Sequence, residues 1–389
     1  MRLRRRALAA IALVSALALA SSGCAAEEGS SGDDEIPIGV DIELTGPAST
    51  LGGSYKNALD LIINDVNKKG VLGDKKIKLI IRDNKSDPAE AVRVAKNLWD
   101  NEKIVGMIGP GTSPTGVPVS VEAEKRKIPM FTMGSSGALI NPVDKHRYIF
   151  KIPPNSDDQA RLQVKEIADR KLTNVAYLAP ADAFGDAAEK AFVPLARESK
   201  LNLVGIERFN AKATDFTVPV TKLLAKKPQA LAIAAITPAS SLIAKAIKQA
   251  GFTGPVVYEG GAGAELFIQG AQGASEGMYM VFPSILAANQ VTATSPAALR
   301  QKEFFRNYSQ RYGQFSGFAP FAADALNMFI EAMEKSNSTD PTKIRDAIEG
   351  NSFDGLTGRF QFTDKYHGGV DPSSLTVLTV RNGGWVLAN

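Results

Sequence analysis

The chain of 389 residues carries 45 Lys and Arg against 41 Asp and Glu, and 44% of it is hydrophobic. Four of the basic residues fall within residues 1–23, which hold no acid, so the remainder has 41 of each sign and no net charge. That balance excludes a nucleic-acid partner, which requires a clustered surplus of Lys and Arg, and the length suits two domains rather than one.

Arg2, Arg4, Arg5 and Arg6 precede an apolar run over residues 7–20, followed by Ser21, Ser22, Gly23 and Cys24. A basic start, a short apolar run and small residues read as an export signal. The run falls short of the ~20 residues that span a bilayer. The segment resembles a bacterial lipoprotein signal, which implies cleavage before Cys24 and a lipid on that cysteine; Ser21 stands where such signals usually carry Leu. Residues 24–35 hold no apolar side chain larger than Ala apart from Cys24, and are expected to form a flexible tether. The protein is thus expected to be exported and anchored to the outer face of the cell membrane. Cys24 is the only cysteine, so no disulfide is available and a large core must supply the stability.

Strand and helix patterns then alternate. Residues 36–44 and 76–82 read as strands, and Leu59, Ile62, Ile63 and Val66 define a helix face within residues 54–69. Asp87-Pro88 opens a second helix, with a capping carboxylate and a proline at its first position. A strand at 104–109, a helix through 121–126 and a strand at 128–132 follow. After Pro153-Pro154 a second series begins: helices at 157–171, 185–199, 215–226 and 238–250, with strands at 174–179, 201–206, 229–236 and 255–258. Such alternation predicts parallel sheets covered on both faces, in two lobes. The last third departs from it, with helices at 297–312, 318–336 and 341–349 and strands at 356–362, 375–381 and 384–387. Asn382-Gly383-Gly384 marks a hairpin turn.

Most catalytic patterns are missing from the sequence. His146 and His367 are the only histidines, and neither has a Cys or His neighbour at zinc-ligand spacing. His367, in a turn-like Tyr-His-Gly-Gly stretch, is expected to be exposed and structural. Gly134-Ser135-Ser136-Gly137 is one residue short of a nucleophile elbow, and Gly109-Pro110-Gly111 lacks the third glycine of a dinucleotide loop. No catalytic residue, cofactor or metal is expected.

Two polar loops stand out instead, Gly109 to Thr115 and Thr132 to Gly137, each at the carboxyl end of a strand. Open α/β sheets bind ligands at such ends, and hydroxyls beside a helix start suit an anion. Ser and Thr capping a helix is the ordinary alternative.

At this point a resemblance becomes specific. Ile38-Gly39, Leu44-Thr45-Gly46-Pro47, Gly52, Asn67 to Gly70, Asp83 to Ala91, the 109–115 loop, Phe184-Gly185 and Ala274 to Gly277 follow one another as in the leucine/isoleucine/valine-type substrate-binding proteins of ABC importers. The resemblance spans about Ile36 to Leu387. It implies a two-lobe α/β clamshell, the type I periplasmic-binding-protein fold, with three hinge crossovers. The amino-terminal lobe would hold residues 36–154 and 285–360, the carboxy-terminal lobe 155–284 and 361–389.

It also implies ligand contacts. Ser113 and Ser136, with Thr112 and Ser135 beside them, fall where hydroxyls meet a ligand carboxylate, and Gly134 where a carbonyl accepts from a ligand ammonium. Leu51, Phe184 and Phe318 fall on apolar walls. Ile236 stands where amino-acid binders often carry Tyr, and Gly260 where the acidic partner of the ammonium belongs, with Glu259 one place early. The expected function is capture of a small amino acid or related carboxylate for an ABC permease, by a monomer. A sensor of the same fold and a surface hydrolase are the alternatives.

Overall fold

The computed structural model describes residues 34–290 and 292–388. The first series runs β1 (Glu35–Ile42), α1 (Ser49–Lys69), β2 (Lys76–Asp83), α2 (Pro88–Glu102), β3 (Gly106–Ile108), α3 (Ser113–Arg126), β4 (Met130–Thr132) and β5 (Ile149–Lys151). These strands form one parallel sheet in the order β2-β1-β3-β4-β5. The Asp87 carboxylate accepts from the N–H groups of Ala89 and Glu90, which starts α2 as its sequence predicts.

The second series runs α4 (Ser156–Asp169), β6 (Asn174–Pro180), α5 (Ala183–Glu198), β7 (Asn202–Phe209), α6 (Thr217–Leu224), β8 (Ala230–Ile233), α7 (Ala239–Gln249), β9 (Val256–Tyr258), α8 (Glu265–Ala271) and β10 (Tyr279–Pro283). Its parallel strands take the order β7-β6-β8-β9-β10, the same winding as the first sheet. In both, the strand order reverses beside the first strand made, which leaves a crevice at the strand ends.

The last part comprises α9 (Pro296–Tyr312), α10 (Ala319–Ser336), α11 (Pro341–Glu349), β11 (Ser352–Asp354), β12 (Arg359–Gln361), β13 (Leu375–Arg381) and β14 (Gly384–Leu387). α10 packs on α1 and β3, so the chain returns to the first lobe after β10. There Phe131 is buried between Phe329 of α10 at 4.7 Å and Phe150 at 5.8 Å. Gly106 lets the Phe329 ring approach, since a Cβ there would stand 2.6 Å from it. β13 then extends the second sheet antiparallel to β10, and β14 pairs antiparallel with β13 through the hairpin turn at Asn382-Gly383.

Four of these elements have no counterpart in the sequence reading: β5, α8, β10 and β11. The strand expected at 356–362 is cut to β12, because Gly358 at φ +143° breaks the extended run. Residues 367–370 pair with the chain at β5: Lys151 N–H donates to the His367 carbonyl at 2.9 Å, and Gly369 N–H to the Lys151 carbonyl at 2.8 Å. The lobe boundary drawn at 361 therefore precedes this pairing. His367 is buried, not exposed. Its Nδ1 lies 2.9 Å from the Ile149 carbonyl and its Nε2 3.2 Å from Glu349.

No helix among the described residues is long and apolar enough to cross a membrane. Cys24 and most of the expected tether lie outside the described residues.

Candidate ligand-binding site

A cavity of about 250 Å³ lies between the two sheets. From the first lobe it is lined by the start of α1, the loop after β3 and the loop after β4. From the second come the turns after β6, β7, β8 and β9. All are carboxyl ends of parallel strands or the helix starts they feed. Of the residues singled out in the sequence, Leu51, Thr112, Ser113, Gly134, Ser135, Phe184, Ile236, Glu259, Gly260 and Phe318 line it, and Ser136 does not.

Ser113 begins α3 and is buried, and its oxygen accepts the Ser136 N–H at 3.1 Å. The Ser136 hydroxyl turns away to cap a short 3-10 turn, accepting from Ala138 N–H at 3.2 Å. Its neighbour Ser135 faces the cavity, and its hydroxyl is buried without a partner. Ser136 is thus turned from the cavity it is expected to line, whereas Ser135, expected beside it, stands in the wall. Gly134 is fixed by space, since a Cβ would stand 2.7 Å from Ser113 N. This first-lobe face combines the open end of a helix with free hydroxyls, an arrangement suited to an anion.

The facing side carries a carboxylate. Glu259 follows β9 and is buried. Its Oε1 accepts from Gln159 Nε2 at 3.0 Å and Ser156 Oγ at 3.4 Å, while Oε2 is buried with no partner. Burial pushes the Glu259 carboxyl up to about 8, against the Ser156 hydrogen bond and the nearby Lys151 charge. An orphaned carboxylate oxygen at this depth is costly unless a donor arrives. Gln159, which sequence reasoning passed over, grips both ends of the turn: its Oε1 accepts Gly260 N–H at 2.8 Å. A helical Gln one turn into α4 gave no signal in the sequence.

Lys151 ends β5, buried, with its ammonium donating to the Pro153 carbonyl at 3.1 Å. Desolvation lowers its pKa to about 7, opposed by Asp158, Glu259 and Asp157.

Leu51, Phe184, Ile236 and Phe318 supply apolar wall, joined by Met133 of the second polar loop and by Tyr55, Phe209 and Phe282, which the sequence reading did not single out. Neither histidine lines the cavity; His146 Nδ1 sits 3.0 Å from the Pro142 carbonyl. No cluster able to hold a metal occurs among the described residues. The site can clamp a small molecule with an acidic end, a donor end and an apolar body.

The sequence matches the family described as periplasmic binding protein over residues 35–384. A "Leucine-, isoleucine-, valine-, threonine-, and alanine-binding protein" of Pseudomonas aeruginosa is 24% identical over 334 residues, covering 85% of this chain and 87% of that protein. An extracellular ligand-binding receptor from Rhodopseudomonas palustris HaA2 superposes with a TM-score of 0.85 at 25% identity, over 91% of this chain and 99% of that one. The branched-chain amino acid transporter substrate binding protein LivJ of Streptococcus pneumoniae, solved with isoleucine, gives 0.78 at 24% identity, over 90% and 97%. Two like-wound lobes around one cleft and a family match along nearly the whole described chain give one conclusion: the protein belongs to the periplasmic binding protein family, an extracytoplasmic family of substrate-binding proteins and not enzymes, with relatives named as amino-acid-binding proteins.

Proposed function

We propose that this protein is the solute-binding component of an ABC importer, held to the outer face of the membrane through Cys24, and that it takes a small α-amino acid. The lobes would close on the ligand by hinge rotation and present it, as a monomer, to the permease. The observation that carries the amino-acid reading is the orphaned Oε2 of Glu259 across the cavity from the free hydroxyl of Ser135. A zwitterion satisfies both, its carboxylate at the α3 end and its ammonium at Glu259. Burying an ammonium without such a partner costs several kcal/mol.

A second reading has support in the same residue. With its pKa at about 8, Glu259 holds a proton at neutral pH and can donate to an amine-free acid. Calorimetry with the twenty L-amino acids and with matched acids lacking the amine, such as L-leucine against isocaproate, separates the two. Binding of an amino acid well ahead of its deaminated partner supports the first reading; the reverse order supports the second. Binding of neither group refutes both.

A further inference from the structure

Beneath the first polar loop lies a buried carboxylate that touches no part of the cavity. Glu43 follows β1 at the point where the strand order reverses, between β1 and β3. It is fully buried. Its Oε2 accepts Gly111 N–H at 3.1 Å, and its Oε1 accepts from Thr115 Oγ1 at 2.6 Å and Thr112 Oγ1 at 3.3 Å. Asn84 Nδ2 completes the set at 3.3 Å. Three of the four donors belong to the loop that carries Ser113. A Cβ on Gly111 would collide with this carboxylate, so loop and acid are fitted to each other. At the strand-order reversal of the first sheet, the protein's own carboxyl group sits beneath the loop.

The clamp reaches further. Ser113 Oγ holds the Ser136 N–H, and Pro110 accepts from Met133 N–H at 3.0 Å, so the loop after β4 is hung from the loop after β3. We propose that Glu43 is a positioning residue for ligand binding: it fixes the 109–115 loop, and through it Ser113 and Ser135, in the geometry that receives the ligand's acidic end. This rests on the functional reading above only for the identity of the ligand. Asp41 provides a natural contrast. It is equally buried and shares the Asn84 amide at 2.9 Å, yet it makes no side-chain bond to the loop and leaves its Oδ2 unpartnered.

The test compares Glu43→Gln with Asp41→Asn in the full chain. Both remove one buried carboxyl group, but only the first replaces one of two oxygens that accept from the 109–115 loop with an NH₂ group. Hydrogen exchange over residues 111–116 is expected to speed up about tenfold or more in Glu43→Gln and to stay unchanged in Asp41→Asn. Affinity for L-leucine is expected to fall about tenfold in Glu43→Gln only, the equivalent of one lost hydrogen bond to a charged group. The melting temperature should fall no further in Glu43→Gln than in Asp41→Asn, since each removes one carboxyl group whose ionisation burial disfavours, which separates positioning from simple support of the fold. Unchanged exchange in Glu43→Gln, or equal losses in both variants, would overturn the proposal. If Glu43→Gln does not fold, Thr115→Val removes the shortest arm of the clamp and is read in the same way. If the unaltered protein binds no amino acid, the functional reading fails, while the exchange measurement still decides the role of Glu43.

Discussion

On the first lobe, the strand ends reach the cavity with backbone N–H groups, small hydroxyls and Gly134; on the second, with Glu259, Ile236 and Phe184. The two sheets have the same winding, β2-β1-β3-β4-β5 against β7-β6-β8-β9-β10. Topology therefore fixes where the two sets of loops stand, and residue type alone decides what each offers. One side is built to receive negative charge, the other to receive a donor and an apolar body. The lobes also differ in how their loops are held. The first-lobe loops hang on a buried carboxyl group and a chain of hydrogen bonds, whereas the second-lobe turn is gripped from α4 by Gln159 and Ser156.

The largest effect expected from breaking this arrangement lies in the frame. Phe131→Ala, in the ring cluster that joins α10 to the first sheet, should cost about 3–5 kcal/mol of stability. Denaturant unfolding measures it. A loss under about 1 kcal/mol would mean that α10 does not tie the returning chain to that sheet.

Next comes Glu259→Gln. Affinity for an amino acid should fall about a hundredfold, or about 2.7 kcal/mol, because the ammonium loses its only buried carboxylate partner in the cavity wall. The ligand-free protein should melt no lower at high pH, since the variant removes the cost of ionising a carboxyl group at this depth. An amine-free acid should lose far less. Equal losses for both ligands would move the ammonium away from Glu259 and leave the second lobe with walls alone.

The pH dependence follows from the same group. Its folded pKa of about 8 exceeds the ordinary 4.5, so its contribution to ligand-free stability is full below 4.5 and is lost as pH rises through 8. Lys151 has the opposite sign: lowered from 10.5 to about 7, its contribution is full above 10.5 and is lost as pH falls through 7. A ligand ammonium needs the Glu259 carboxylate, so amino-acid affinity should rise about tenfold per pH unit between 6 and 7 and flatten above 8. Binding at pH 7 should release a proton, seen by calorimetry in buffers of different ionisation enthalpy. A flat profile with no proton release would place the ligand's donor elsewhere.

Much of the frame was legible. The helical spacing of Leu59, Ile62, Ile63 and Val66, the Asp87-Pro88 start and the two strand series lead directly to α1, α2 and the paired sheets. What escaped were contacts made by tertiary placement. β5 is only Ile149–Lys151, and its Lys reads as a surface residue until the returning chain at 367–370 covers it. His367 looked like a turn residue because Gly368 and Gly369 follow it, yet that turn is folded under α11, where Glu349 meets the ring. Glu43 and Gln159 carry no local mark at all. Their roles exist only once loops distant in sequence close around them.

The smallest expected effect concerns two neighbouring residues that take different roles. Ser135 and Ser136 are chemically identical, and the sequence gives no reason to choose between them; backbone direction after β4 makes the choice. Ser136 spends its oxygen on Ala138 N–H, so Ser136→Ala should cost roughly 1 kcal/mol of stability, as for other lost caps, and leave the ligand's direct contacts in place. Its backbone N–H, which holds Ser113, is kept. Ser135 leaves its hydroxyl unpaired, so Ser135→Ala should cost almost no stability while weakening a carboxylate ligand about fivefold, near 1 kcal/mol. Calorimetry and thermal melts on the two variants give a crossed result if the first lobe supplies the acid's hydroxyl from Ser135. A ligand loss confined to Ser136→Ala would show that the loop turns over on binding, and would make the first lobe, not the second, the one that reshapes around its guest.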